Sequence, residues 1–133
     1  MYYLDTNTCI YFLNGKYRSV RDRILATAPG RIAIPSVVKA ELLHSVAKSA
    51  RQDENLKNVE TFLSPFEIVP FENSMTYVYA DLRFKLERRG QPIGPNDLFI
   101  ASIVLARNGV LVTNNTLEFG KISGLKLENW VEA

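Results

Sequence analysis

Three acidic residues stand where their side chains could act together. Asp5 follows the short apolar run at 2–4, Glu41 lies in the first half of a predicted helix, and Asp97 opens another predicted helix. Carboxylates that meet in one pocket repel one another, so they share protons or bind cations. Their hard oxygen atoms suit Mg²⁺ or Mn²⁺, and such a cluster can hold two ions about 3.5–4 Å apart.

A fourth polar segment lies nearer the C-terminus. Thr113-Asn114-Asn115 follows a predicted strand, and Glu118 comes shortly after it. Parallel-sheet geometry can bring this segment to the same edge of the sheet as the three acids. Asn114-Asn115 is also a favourable turn sequence, which is the ordinary explanation for those two residues.

The three acids have ordinary explanations too. Asp5 and Asp97 each stand where an aspartate can simply cap a helix N-terminus. Glu41 shares one helix face with His44, Ser45 and Lys48, which is either exposed to solvent or forms the wall of a cleft. The convergence of several acids on one pocket is what favours a metal site over three separate structural roles.

Elements of alternating type must position these residues. The sequence predicts strands at 2–4, 31–35, 66–71, 110–113 and 125–128, and helices at 6–13, 17–28, 36–49, 55–63, 73–89 and 97–107. Ser36 is the predicted N-cap of its helix, and the helix at 97–107 is apolar nearly all round, which predicts burial. The alternation predicts an α/β domain with a mainly parallel sheet and right-handed crossovers.

Composition sets limits on the class of protein. The 133 residues are 47% hydrophobic and 23% charged, which indicates one globular domain over 1–133. A single cysteine, Cys9, and a single histidine, His44, exclude an intrachain disulfide, a multi-cysteine zinc cage and any site that needs two histidines. The sequence shows neither a membrane-length apolar run nor a signal peptide at its start, so we expect a protein of the reducing cytoplasm with no membrane partner.

The charges are nearly balanced but unevenly placed. There are 16 Lys and Arg against 14 Asp and Glu, for a net charge of +2, which permits a nucleic-acid partner without requiring one. Basic residues cluster in or next to two predicted helices. The clusters are Lys16, Arg18, Arg21 and Arg23, and Arg83, Lys85, Arg88 and Arg89. The ordinary interpretation of each cluster is a solvated helix face.

Five short segments, spread over the whole chain, carry a family resemblance. They are 4–10 (LDTNTCI), 35–42 (PSVVKAEL), 90–97 (GQPIGPND), 111–115 (LVTNN) and 124–130 (GLKLENW). In this order and spacing they resemble the PIN-domain family, in particular the VapC toxins of toxin–antitoxin pairs. The resemblance implies a three-layer α/β/α sandwich and a Mg²⁺- or Mn²⁺-dependent endoribonuclease, with the basic helices holding the RNA backbone.

The resemblance also assigns roles and partners. Asp5, Glu41 and Asp97 fall on the acidic positions that hold the metal. The resemblance also implies that Thr6, Asn7 and Thr113 supply the hydroxyl and amide groups that hold these carboxylates in position. The implied partners are an RNA substrate such as tRNA or ribosomal RNA, a cognate VapB-type antitoxin, and a second copy of the chain in a homodimer.

One position departs from the family pattern. Many members have T-N-D where this chain has Thr113-Asn114-Asn115. An asparagine carbonyl can ligate a metal or orient a water molecule but adds no negative charge, whereas Glu118 is close enough in sequence to supply a carboxylate. The sequence therefore leaves open whether Asn115 or Glu118 completes the catalytic set.

Two other functions remain as alternatives. The first is a catalytically degenerate PIN-like module that binds RNA without cutting it, because the fourth aspartate is missing. A phosphoacceptor receiver-type domain is the other, but it needs a second acid beside Asp5 and a lysine at a late strand end, and 2–4 and 110–115 supply neither.

Overall fold

Five strands and seven helices alternate through residues 1–132, the part of the chain that this computed structural model describes. The strands are β1 (Tyr2–Leu4), β2 (Ile32–Pro35), β3 (Glu67–Val69), β4 (Val110–Val112) and β5 (Lys126–Glu128). The helices are α1 (Thr6–Asn14), α2 (Arg18–Ala26), α3 (Ser36–Ala47), α4 (Gln52–Leu63), α5 (Met75–Arg88), α6 (Pro95–Ala106) and α7 (Thr116–Phe119). A 3₁₀ turn at Pro29–Arg31 precedes β2.

The strands form one parallel sheet in the order β3-β2-β1-β4-β5. Because crossovers between parallel strands are right-handed, the helices on the β1-to-β3 side and those that lead back to β4 and on to β5 cover opposite faces. Burial on both faces explains why the inner strands are almost wholly apolar, as in β2, where all four residues are buried. The predicted three-layer α/β/α sandwich is confirmed.

The centre of the sheet is a switch point. From β1 the chain proceeds outward to β2 and β3, then returns to β4 on the other side of β1. Ligand sites in such sheets form in the crevice beyond the carboxyl ends of the strands at this reversal. The pairing of Leu4 with Val112 places Asp5 and Thr113 side by side there, and the Asp5 N–H donates to the Val112 carbonyl at 3.2 Å.

The long hydrophobic helix behaves as predicted, but its start does not. Its residues at 98, 100–101 and 103–104 are buried with Ser102. The helix begins at Pro95 rather than Asp97, with Gly94 as its N-cap, because proline fits the first helical position, where its missing N–H costs nothing. Among residues 1–132, no helix has the length and apolar character that a membrane crossing requires.

Other boundaries differ from the sequence prediction for local reasons. Ser36 is the first helical residue and not the cap, since Pro35 occupies the cap position and no side chain caps the helix. Helix α4 begins at Gln52, three residues before the predicted start, and places Asp53 and Glu54 in its first turn, where acids favour the helix dipole. The short helix α7 was not predicted, because Asn114-Asn115 read as a turn.

Candidate active site

Asp5 is both a helix cap and a member of the candidate site. Its Oδ1 accepts the Thr8 N–H at 2.9 Å, which caps α1. Its Oδ2 accepts the Thr113 hydroxyl at 2.6 Å, across 108 residues of sequence. The side chain is only 5% exposed. The capping interpretation and the functional one are therefore compatible at this position.

Glu41 is held from two other elements. The Thr6 hydroxyl at the start of α1 donates to its Oε1 at 2.6 Å. The Asn96 amide in the first turn of α6 donates to its Oε2 at 3.3 Å. These bonds tie α1, α3 and α6 together at the sheet edge, so the face of α3 that carries Glu41 lies against the crevice.

Asp97 and Glu118 form a carboxyl–carboxyl pair. Asp97 is the third residue of α6 and does not cap it, since Gly94 holds that position. Its carboxyl lies against that of Glu118, whose hydrogen bond and charge both raise the pKa of Asp97, since two carboxyl groups in contact favour a proton on one of them. Glu118 also accepts the Gly94 N–H on its Oε1 at 3.3 Å. The contact joins α7 to the start of α6.

Both aspartates hold their protons more tightly than usual. Burial is the main cause of the raised pKa of Asp97, which reaches about 7, followed by the hydrogen bond and charge of Glu118 and the charges of Asp5 and Glu41. Burial also raises the pKa of Asp5, against hydrogen bonds from Thr113 and Thr8 that lower it, and the charge of Glu41 adds to the rise. The four acids thus lie close enough for their charges to interact.

The donor set fits a divalent cation. Four carboxylates that repel one another and share a proton have a deficit of positive charge, which a hard cation relieves. As the side chains stand, no three His, Cys, Asp or Glu groups within residues 1–132 are arranged to hold a metal ion. Hydroxyl, amide and carboxyl hydrogen bonds occupy these oxygens instead, and Asp5, Glu41 and Asp97 are the residues that would hold a cation.

The remaining predicted site residues divide into two groups. Thr6 and Thr113 hydrogen-bond Glu41 and Asp5, as expected of groups that orient carboxylates. Asn7 and Asn115 have exposed side chains, and among the described residues neither donates to the acids. Asn115 contributes only its backbone N–H, which donates to the Thr113 hydroxyl at 2.9 Å. The geometry thus favours Glu118 over Asn115 as the fourth acidic partner.

Sequence reasoning missed two contributors to the site. Asn96 bonds Glu41, and the Gly94 N–H bonds Glu118. Both lie in the GQPIGPND segment that singled out Asp97. The signal was present in the polar and glycine residues of that segment, but its partners lie 55 and 24 residues away, so only packing of the helices identifies them.

We expect the stability of the metal-free protein to fall as pH rises from about 4 to 7. The pKa of Asp97 is about 7 in the folded chain against 3.8 ordinarily, so its protonated form favours folding, and that contribution is lost as pH rises through the folded pKa. Thermal melts in EDTA should show the decline, and Asp97→Asn should reduce it. A melting temperature of the unmodified protein that holds constant or rises over this range would contradict the assignment.

Comparison with known proteins decides the family. The family sequence model of the PIN domain matches residues 2–125. This chain belongs to the PIN-domain family. It is 44% identical over 131 residues to the ribonuclease VapC2 of Rickettsia felis, with 98% of each chain covered. It is 36% identical over 127 residues to the tRNA(fMet)-specific endonuclease VapC of Shigella flexneri, with 96% of each covered.

A solved structure agrees with the sequence relatives. The structure of VapBC2 from Rickettsia felis, bound to a DNA fragment from its promoter, matches this PIN domain with a TM-score of 0.91 at 44% identity. The match covers 97% of this chain and 98% of that one. The resemblance to VapC proteins is therefore confirmed, and with it the class of enzyme, an endoribonuclease.

Proposed function

We propose that this PIN domain, residues 1–133, is a Mg²⁺- or Mn²⁺-dependent endoribonuclease toxin that hydrolyses a phosphodiester bond in structured RNA. The observation that carries the proposal is the Asp97–Glu118 pair, which lies close enough to Asp5 and Glu41 for their charges to raise the pKa of Asp97. A divalent cation is the partner that such a cluster needs. The same pair argues against the degenerate binding module, because a fourth carboxylate is present after all.

The residues divide the chemical work. Asp5, Glu41 and Asp97 would hold the cation, which when bound acidifies a water molecule and offsets charge on the phosphate. The Thr113 and Thr6 hydroxyls fix the orientation of Asp5 and Glu41. Glu118 lies against Asp97, and we assign it the role of the fourth carboxylate, which supports Asp97 from outside the set of direct cation ligands.

The metal requirement gives a direct test. Incubation of the purified chain with Mg²⁺ or Mn²⁺ should cleave a transfer-RNA or ribosomal-RNA substrate, EDTA should stop cleavage, and excess cation should restore it. The Shigella relative is named for tRNA(fMet), so initiator tRNA is the first substrate to assay, with elongator tRNA and ribosomal RNA beside it. RNA that is bound but left intact under every metal condition would support the degenerate module instead.

The proposal includes two protein partners and a location. The Rickettsia structure is of a VapBC2 complex, which supports a VapB-type antitoxin as the partner of this chain. An arginine or lysine of the antitoxin placed among the carboxylates would supply the charge that the metal otherwise brings. We also propose a homodimer, to be tested by light scattering, and the cytoplasm as the site of action, where its RNA substrates lie.

A further inference from the structure

A groove continues the candidate site along one face of α3. At one end it is lined by Thr6, Glu41 and Asn96, which are the hydrogen-bonded group described above. At the other end it is lined by His44 and Lys48, both exposed. The face of α3 that carries these residues is therefore the wall of a cleft and not a plain solvated surface.

Helix geometry fixes the spacing within the groove. His44 and Lys48 follow Glu41 by three and seven residues, so all three lie on the same face. With a rise of about 1.5 Å per residue, Lys48 lies about 10 Å along the axis from Glu41. Its long side chain starts about two turns from a carboxylate proposed to hold the metal, a distance suited to a part of the RNA next to the reacting phosphate.

Lys48 differs from the basic clusters that the sequence analysis singled out. Within residues 1–132, no carboxylate lies within 4.0 Å of its ammonium group. Four of the eight residues in the basic clusters are ion-paired, and none of the eight lines this groove. The pairs are Arg18–Asp22, Arg23–Glu128, Arg83–Glu87 and Lys85–Asp81. The cation that shares a cleft with the acids is therefore the better placed to attract a phosphate.

We propose that this groove binds the RNA strand on one side of the bond to be cleaved, with Lys48 contacting a backbone phosphate and His44 the adjoining sugar or base. The inference rests on the proposed function. Glu41 at the end of the groove, and the acids whose charges reach it, repel an approaching polyanion. A positive charge in the same groove offsets that repulsion and sets the direction of the strand. Both residues are thus positioning residues.

Binding measurements with a matched control test the groove. The probe is a fluorescein-labelled, 15-nucleotide single-stranded RNA of mixed sequence, and the protein is the full chain carrying Asp5→Asn so that the probe stays intact. Adding Lys48→Gln should weaken binding about 3- to 10-fold and reduce the slope of log affinity against log salt by about 0.7, the loss of one phosphate contact. His44→Ala should also weaken binding, at an unchanged melting temperature.

Lys126→Gln is the control, because it removes the same charge from an exposed position at the start of β5, where Lys126 pairs with the first residue of β4. Lys126 therefore lies at the amino-terminal ends of the parallel strands, whereas the acids lie beyond the carboxyl ends. We expect affinity and salt slope within twofold of the parent. In the active enzyme, Lys48→Gln should raise KM while kcat stays within about twofold, as expected when a binding contact is lost.

Equal RNA affinity and salt slope for the Lys48→Gln and Lys126→Gln proteins would overturn the proposal. If the unmodified chain still cleaves RNA in a metal-dependent way, that result leaves the proposed function intact and rejects only the groove. Unchanged RNA binding together with weakened antitoxin binding would assign the groove to a protein partner and equally overturn the inference. A chain that neither binds nor cleaves RNA would reject both.

Discussion

Asp5→Asn is expected to abolish metal-dependent RNA cleavage while the fold remains intact. The substitution removes one charge from the carboxylate cluster and, with it, the several kcal/mol that a bound cation contributes to the transition state. The loss of activity should be on the order of 10³-fold or more. Asparagine retains an oxygen for the Thr8 N–H, so the cap of α1 is preserved, and its amide can donate to the Thr113 hydroxyl. Cleavage of initiator tRNA and a thermal melt together measure both effects.

Asp5→Ala is the matched control for the structural role of the same side chain. Alanine removes the cap and leaves the buried Thr113 hydroxyl without its acceptor. We expect a cost of about 1–3 kcal/mol in the free energy of unfolding, in addition to the loss of cleavage. If the asparagine variant cleaves RNA at the rate of the unmodified enzyme, Asp5 is only a helix cap and the metal assignment fails.

Glu118→Gln is expected to reduce cleavage on the order of 10²-fold, whereas Asn115→Ala should stay within about threefold of the unmodified enzyme. Glu118 pairs with the Asp97 carboxyl, so the amide removes both a negative charge and a proton-sharing partner. The glutamine oxygen can still accept the Gly94 N–H, so the connection between α7 and α6 is kept. The measurement is the rate of tRNA cleavage at saturating Mg²⁺ and neutral pH.

A second measurement separates the chemistry of Glu118 from a packing effect. The Glu118→Gln protein should lose part of the pH dependence of its metal-free melting temperature, because the hydrogen bond and charge of Glu118 add to the burial that raises the pKa of Asp97. Asn115→Ala should keep that dependence, since the backbone N–H that bonds Thr113 is unchanged. A larger loss of activity in Asn115→Ala than in Glu118→Gln would show that Asn115, and not Glu118, takes the place of the family's fourth aspartate.

Local sequence determined the types of element and singled out three acids that the structure brings close together. Apolar strands bounded by turn residues predicted a mainly parallel sheet, which the structure shows as five parallel strands. The residue after the first strand was correctly placed at the edge of the sheet. Boundaries were less certain. Pro95 extended α6 beyond the prediction, and Pro35 displaced Ser36 from the cap position. At such positions two neighbouring residues can each serve as the helix cap, and the two arrangements differ by about 1 kcal/mol. The surrounding structure then decides where the helix begins.

The residue pattern also predicted the family, because blocks such as LDTNTCI and GQPIGPND combine polar residues with fixed spacing. The residue pattern did not determine which side chain takes the place of the family's fourth aspartate. Asn115 and Glu118 are both close in sequence to Thr113, and the distinction came only when α7 was seen to direct Glu118 towards Asp97. Nor could it separate the ion-paired arginines of the basic helices from Lys48, whose position in a cleft depends on α1 and α6.

By itself, then, the amino-acid sequence determined an alternating α/β chain, three acids at plausible strand and helix ends, and membership of a nuclease family. Tertiary structure alone decided the contact between Asp97 and Glu118, the support of Glu41 by Asn96, and the groove that leads to Lys48. The reason is physical. Burial patterns are local and repeat every two to four residues, whereas these contacts join groups that become neighbours only when helices pack on both faces of the sheet.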